Sequence, residues 1–149
     1  MQKLKGLMTS ETNEWYTPKD FYDKLNEEFN FTLDPCCTKE SAKCGKFYTI
    51  EDDGLSQGWG GEVVFMNPPY GREIKDWIKK AHDEHFKNKT TVVCLIPART
   101  DTSYWHDYIF NKATDIRFLR GRIKFERPDG TKGDAAPFPS AVIVYKIKD

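Results

Sequence analysis

The sequence predicts an α/β fold: a mostly parallel sheet with helices on both faces and an antiparallel C-terminal edge. Three observations carry this. Short strand-like runs alternate with segments of helical spacing, as in a sheet built from strand–helix units. The run Thr91-Val-Val-Cys-Leu-Ile96 is continuously apolar, which is how a strand covered on both faces reads. The last three strand-like runs follow one another with little helix between them, which suits antiparallel neighbours. At 149 residues the chain is one domain's worth of sequence, 1–149, and no internal repeat is visible.

The elements follow in order. Residues 1–12 are polar and are expected to fray. Thr17 is a good N-cap, Pro18 suits the first helical position and Asp20 suits the positive end of the helix dipole. Phe21, Leu25 and Phe29 then share one face. Phe31-Thr-Leu33 reads as a short strand that stops at Asp34-Pro35, because proline cannot donate to a ladder. Phe47-Tyr-Thr-Ile50 is a second short strand, ended by the acidic turn Glu51-Asp-Asp-Gly54. Glu62-Val-Val-Phe-Met66 reads as a buried strand. Ile74, Trp77, Ile78, Ala81 and His85 have helical spacing. After the run 91–96, a helix fits Thr102 to Phe110, with Tyr104, Trp105, Tyr108 and Ile109 on its apolar side. Ile116-Arg-Phe-Leu119 and Ile123-Lys-Phe125 look like strands flanking Arg120-Gly121-Arg122. The segment 127–139 holds three prolines and two glycines and reads as a loop. Ala141-Val-Ile-Val-Tyr145 is the last strand.

Composition bounds the function. The 10 Phe, 7 Tyr and 4 Trp argue against disorder, although charged residues reach 31%. No window approaches the roughly 18 apolar residues of a membrane-spanning helix. The opening MQKLKGLMTS has no apolar core, so no signal peptide is expected. The four cysteines then read as reduced thiols in a cytoplasm. A net charge of zero weighs against a non-specific nucleic-acid binder, but the charge is unevenly spread. Glu11 to Asp34 holds seven acids against two lysines, and Lys112 to Lys132 holds seven bases against three acids. A polyanion could dock on the C-terminal third while the N-terminal third stays away; plain solvated surface charge fits equally well.

The most informative point is where strand 62–66 runs into Asn67-Pro68-Pro69-Tyr70. In open α/β sheets ligands bind beyond the carboxyl ends of strands. Each residue here suits a planar ring with an exocyclic amine. The Asn67 side-chain carbonyl accepts one amine hydrogen. Pro68 offers a carbonyl with no amide hydrogen beside it, and the consecutive prolines hold that carbonyl in place. Tyr70 offers a ring face on which a base can stack, so phenylalanine is expected to serve there. Two acceptors on one –NH2 draw its lone pair out of conjugation, which makes the nitrogen more nucleophilic without a strong base. That chemistry suits methyl transfer from a sulfonium donor. Asp at position 67 would keep an acceptor and is expected to be a mild change.

Asn-Pro-Pro-Tyr is also the catalytic tetrapeptide of S-adenosylmethionine-dependent amino-group methyltransferases. The surrounding segments resemble the small phage-type DNA N6-adenine methyltransferases, the Dam family of phages and prophages. They include Asn13-Glu-Trp-Tyr-Thr-Pro18, Leu33-Asp-Pro35, Asp52-Asp-Gly-Leu55 with Trp59, Pro97-Ala-Arg-Thr-Asp101, Gly121-Arg-Ile-Lys-Phe125 and Pro137-Phe-Pro-Ser-Ala141. The resemblance spans about residues 13–146. It implies a class I, Rossmann-like methyltransferase fold, S-adenosyl-L-methionine as cofactor and double-stranded DNA as partner. It makes Asn67, Pro68, Pro69 and Tyr70 the catalytic loop. Trp15, Thr17 and Pro18 would lie against the methionine part of the donor. Asp34 and Pro35 would end the first strand, and Asp53 would reach the donor's adenine. The chain departs from the family pattern after the first strand, where Asp34-Pro-Cys-Cys-Thr38 replaces a glycine-rich turn. The same tetrapeptide serves protein-glutamine and RNA-base methyltransferases. A catalytically silent nucleic-acid-binding domain is a further alternative, disfavoured by the intact Asn67 and Tyr70.

Other candidates are weaker. Cys36, Cys37, Cys44, His82 and His85 lack the paired spacing of a zinc site, and no metal is expected. Arg99 follows strand 91–96 as Asn67 follows strand 62–66, so both lie on one rim and Arg99 is a candidate DNA contact. Arg120, Arg122 and Lys124 alternate along an expected edge hairpin, a pattern that fits phosphate contact or protection of the edge. With no long recognition insert, the reading surface is small. That fits a short recognition site, or a homodimer that pools two surfaces.

Overall fold

The computed structural model describes residues 15–148. The expected frayed segment 1–12, with Asn13 and Glu14, lies outside the described residues. Six strands form one sheet: β1 (Leu33–Asp34), β2 (Lys46–Phe47), β3 (Val63–Met66), β4 (Thr91–Pro97), β5 (Asp115–Phe118) and β6 (Ser140–Tyr145). Their spatial order is β2-β1-β3-β4-β6-β5. The first four are mutually parallel, and β6 pairs antiparallel with both β4 and β5. The reversed strand is therefore β6, wedged one place in from the edge, and β5 runs with the first four.

Register shows how the helices cover the sheet. Tyr145 pairs with Val92 and Val92 with Val64, so these three share one face. Phe65, next to Val64, lies on the other. Tyr22 of α1 (Lys19–Phe29) packs edge-on against Phe65 at 5.1 Å, whereas His85 of α2 (Ile74–Asn88) lies 5.6 Å from Tyr145. The two helices cover opposite faces, as the sequence pattern implies. Among the described residues no helix is long and apolar enough to cross a membrane.

The differences from the sequence reading have local causes. Helix α1 begins one residue late: Pro18 stands at the N-cap, and its carbonyl accepts the Tyr22 amide at 3.0 Å. Thr17 does not cap it. Instead Glu126, from the far end of the chain, accepts the Lys19 amide at 2.9 Å and supplies negative charge at the dipole's positive end. The buried face of α1 is Tyr22, Leu25 and Phe29, with Phe21 only partly covered. The second strand shrinks to two residues because Thr49 to Asp52 folds into a turn, its amide and hydroxyl held by the Asp52 carboxylate, which leaves Ile50 92% exposed. The expected helix 102–110 contains a π-helical segment, Trp105–Ile109. The expected strand 123–125 is absent from the sheet. The Glu126 amide bonds the Tyr16 carbonyl, and the Ile123 and Phe125 carbonyls accept from Ala136 and Gly133. Ile123 and Phe125 still turn inward while Arg120, Arg122 and Lys124 stay exposed, so the alternation survives without the hairpin.

Candidate active site

Strand β1 runs to β2 on one side and β3 to β4 on the other, so the switch point of the sheet lies between β1 and β3. Asp34 ends β1 and Asn67 follows β3 at its carboxyl end, where open α/β sheets bind ligands. A cavity of about 640 Å³ opens there. Trp15, Thr17, Asp34, Pro35, Asp53 and Asn67 all line it. Pro18, the remaining residue expected at the cofactor, is buried at the start of α1 and is not in this wall.

Asp34 is only 4% exposed and accepts the backbone amides of Lys43 (3.0 Å) and Cys36 (3.4 Å). The loop that replaces the glycine-rich turn is thus wound around a buried carboxylate. Burial pushes this carboxyl up to about 6 from an ordinary 3.8, against the pull of the two amides. The close backbone approach that needs glycine occurs elsewhere. A Cβ on Gly54 would lie 2.0 Å from the Pro35 carbonyl oxygen, so the turn after Asp53 seats against the end of β1 only without a side chain. The Gly54 carbonyl is held by the buried Trp59 indole at 3.0 Å. Asp53, in the left-handed region at φ 55°, presents an exposed carboxylate to the cavity.

The Asn67 side chain is fixed at both ends. Its amide nitrogen donates to the Trp15 carbonyl and, at 2.9 Å, to the buried Thr17 hydroxyl. Its carbonyl oxygen accepts the Tyr70 hydroxyl at 2.7 Å, and the Leu95 carbonyl lies 3.1 Å from the same hydroxyl. Tyr70 is 6% exposed. Trp15 stacks near its ring, with centroids 6.5 Å apart, and Phe125 and Phe138 stand edge-on to it. The hydroxyl, which the sequence reading left without a part, is the group that touches Asn67. Pro68 and Pro69 stand in the wall of the large cavity, and the Asn67 backbone carbonyl accepts the Cys36 thiol at 3.5 Å.

A second cavity, of about 330 Å³, lies on the other side of this loop. Tyr70, Tyr104, Phe138 and Arg99 line it, and Trp15 lines both cavities. The Arg99 guanidinium sits over the Phe138 ring at 5.8 Å. The loop 67–70 therefore passes from one cavity to the other, with aromatic walls on the smaller side.

The remaining candidates disperse. Among the described residues no group of three His, Cys, Asp or Glu side chains is placed to hold a metal. His82 contacts Asp83 and His85 the Thr90 carbonyl, each at 2.9 Å. The charge halves are not apart in space. Arg117 clasps Glu28 through two 2.7 Å bonds, and Lys132 meets Asp20 at 3.2 Å. Part of the basic stretch is thus neutralised by the acidic one. Arg122 reaches the Ala136 carbonyl at 3.3 Å.

A mostly parallel sheet with one reversed strand, a cavity at its switch point and an Asn-Pro-Pro-Tyr loop beside it are consistent with a methyltransferase fold. The comparisons with known proteins narrow this. The chain matches the family model "DNA N-6-adenine-methyltransferase (Dam)" over residues 5–148, and it belongs to that family. It is similar to the DNA N-6-adenine-methyltransferase of Haemophilus phage HP1, 27% identical over 99% of this chain and 87% of the relative. The enzyme of the same name from Escherichia phage T1 is 29% identical over 77% of this chain and 49% of the relative. The putative methyltransferase YfdM of Escherichia coli K12 is 34% identical over 39% of this chain and 71% of its own length.

Proposed function

We propose that this chain transfers a methyl group from S-adenosylmethionine to the N6 amine of adenine in double-stranded DNA. The observation that carries the reading is Asn67: an amide held at both ends, in the wall of the large cavity at the carboxyl end of β3, and bonded to Tyr70, which lines the smaller cavity. The large cavity suits the donor, because the carboxylates of Asp34 and Asp53 and the ring of Trp15 line one space of about 640 Å³. When bound, the donor supplies a methyl group on a sulfonium cation. Asp53 would accept from its hydroxyl or amine hydrogens, and Trp15 and Thr17 would lie against its methionine end.

The target adenine leaves the stack and enters the smaller aromatic cavity. Asn67 Oδ1 and the Pro68 carbonyl each accept one hydrogen of its amine. Held this way, the nitrogen lone pair would be localised and free to take up the methyl carbon, with the surplus proton leaving to water. Arg99 lies at the mouth for the base or its phosphate, and Arg120, Arg122 and Lys124 meet the backbone. The homodimer that pools two reading surfaces, and the bacterial cytoplasm as the place of work, belong to the same reading.

Incubation with tritiated S-adenosylmethionine and separate DNA, RNA and protein substrates tests it. Label is expected in DNA alone. Label in RNA or protein, with none in DNA, overturns the assignment.

A further inference from the structure

A primary amide carries two donor hydrogens and one oxygen with two lone pairs. In Asn67 three of these four positions are already filled. The backbone carbonyl of Trp15 only accepts, so the –NH2 end must face it, and Thr17 Oγ1 takes the second hydrogen at 2.9 Å. The Tyr70 hydroxyl fills one lone pair of Oδ1 at 2.7 Å. One lone pair is left, and on the function proposed above it is the one that receives the substrate amine. Thr17 is 3% exposed and does not cap α1, so Asn67 is the partner that accounts for its hydroxyl.

We propose that Thr17 is a positioning residue, which together with the Trp15 carbonyl sets the orientation of the Asn67 side chain and restricts position 67 to an amide. A carboxylate there would put an acceptor-only oxygen against the Trp15 carbonyl, at a part-buried position. Only a protonated carboxyl could donate to that carbonyl. This reverses the expectation that aspartate would be a mild change.

Two variants test it. Thr17→Val keeps the shape and removes the hydroxyl. In the protein without DNA, the Asn67 side-chain amide protons, identified by their loss in Asn67→Asp, should exchange with solvent faster in Thr17→Val than in wild type. In turnover, kcat should fall about tenfold, as for one lost hydrogen bond in a low-dielectric site, with the KM for DNA unchanged. Thr17→Ser should restore most of the loss. Unchanged amide exchange and kcat, or an equal loss in Thr17→Ser, would overturn the proposal.

The second arm does not depend on whether Thr17→Val folds. The ratio of Asn67→Asp to wild-type rate is measured from about pH 8 to pH 6. It should rise by about tenfold to a hundredfold, the larger figure for a carboxyl that titrates nearer its ordinary range, as the new carboxyl protonates and donates to Trp15. The titratable groups facing position 67 are Cys36 and Tyr70, both held protonated by burial. Asp34, Glu40, Glu51, Asp53, Glu73 and Glu126 stand in the same cavity wall, with Cys37, Lys39, Lys43 and Arg127. All are common to wild type, so the ratio cancels their own titration and keeps only their coupling to the new carboxyl, that of Asp34 above all. A flat ratio overturns the restriction to an amide. A wild type that methylates no DNA contradicts the function instead, and the amide-exchange measurement then decides the positioning claim by itself.

Discussion

Tyr70 was chosen from the sequence for its ring, and its position brings the hydroxyl into play. The ring is walled by Trp15, Phe125 and Phe138, and the hydroxyl bonds Asn67. Tyr70→Phe is therefore expected to slow turnover by about two- to tenfold, the worth of one hydrogen bond, and Tyr70→Ala to slow it further through the lost ring. Single-turnover rates on one duplex check this; equal rates for Tyr70→Phe and wild type would return the role to the ring alone. Asn67 and the prolines were legible because a rare tetrapeptide directly follows a buried strand. The bonds of Thr17 to Asn67 and of Tyr70 to Leu95 were not, because they join residues 50 and 25 positions apart, and the Tyr70 bond to Asn67, three positions away, depends on how the two prolines turn the chain. Asp34 carries a second expectation. Its carboxyl holds its proton more tightly folded than unfolded, at about 6 against 3.8. Its stabilising contribution is complete below the unfolded value and is lost as pH rises through about 6, an effect of about 2–3 kcal/mol. Urea unfolding at about pH 4.5 and pH 7 should show wild type losing this stability and Asp34→Asn not losing it. Parallel pH dependence in the two proteins would mean that Asp34 titrates normally.

At the scale of elements, the turn 53–54 and the end of β1 form one wall of the large cavity, and Gly54 sets their spacing. Gly54→Ala is expected to cost about 1–3 kcal/mol, because the added Cβ meets backbone and not a flexible side chain. It should also weaken binding of S-adenosylhomocysteine. Gly58→Ala, with nothing within 4 Å of the new Cβ, is the control and should be near neutral. Calorimetric melting of both variants gives the comparison. The long elements were legible: the apolar run of β4 and the spaced apolar residues of α2 each exceed one period of their pattern. Strands β1 and β2 have two residues each, too few for any period to show. The segment 123–125 alternates like a strand, but its backbone partners are Tyr16 and 133–136, and the alternation alone does not tell these from a neighbouring strand.

At the scale of the molecule, the acidic and basic thirds of the chain are brought together. Glu28 with Arg117, Asp20 with Lys132, and Glu126 with the start of α1 tie them side by side. A linear count of charge could not show this, because it carries no distance. Arg120 and Lys124 remain exposed beside the loop that reaches the active site. Arg120→Ala and Lys124→Ala should weaken DNA binding about equally on all sequences, each lowering the salt slope by about one. A change in which sequences are methylated would mean instead that they read bases.

On the proposed function, Asn67 acts on the amine of a flipped adenine and not on the donor. This is tested most directly by quantifying methylated nucleosides in duplex DNA treated with wild type and with Asn67→Ala, alongside calorimetry of both proteins with S-adenosylhomocysteine. Wild type is expected to yield N6-methyl-2′-deoxyadenosine as its only methylated nucleoside. Asn67→Ala should yield it about 10²–10³ times more slowly, as when one preorganised transition-state hydrogen bond is removed, with undiminished affinity for the donor product. Methylation of another base by wild type, or an Asn67→Ala variant whose lost rate is matched by lost donor binding, would contradict the account.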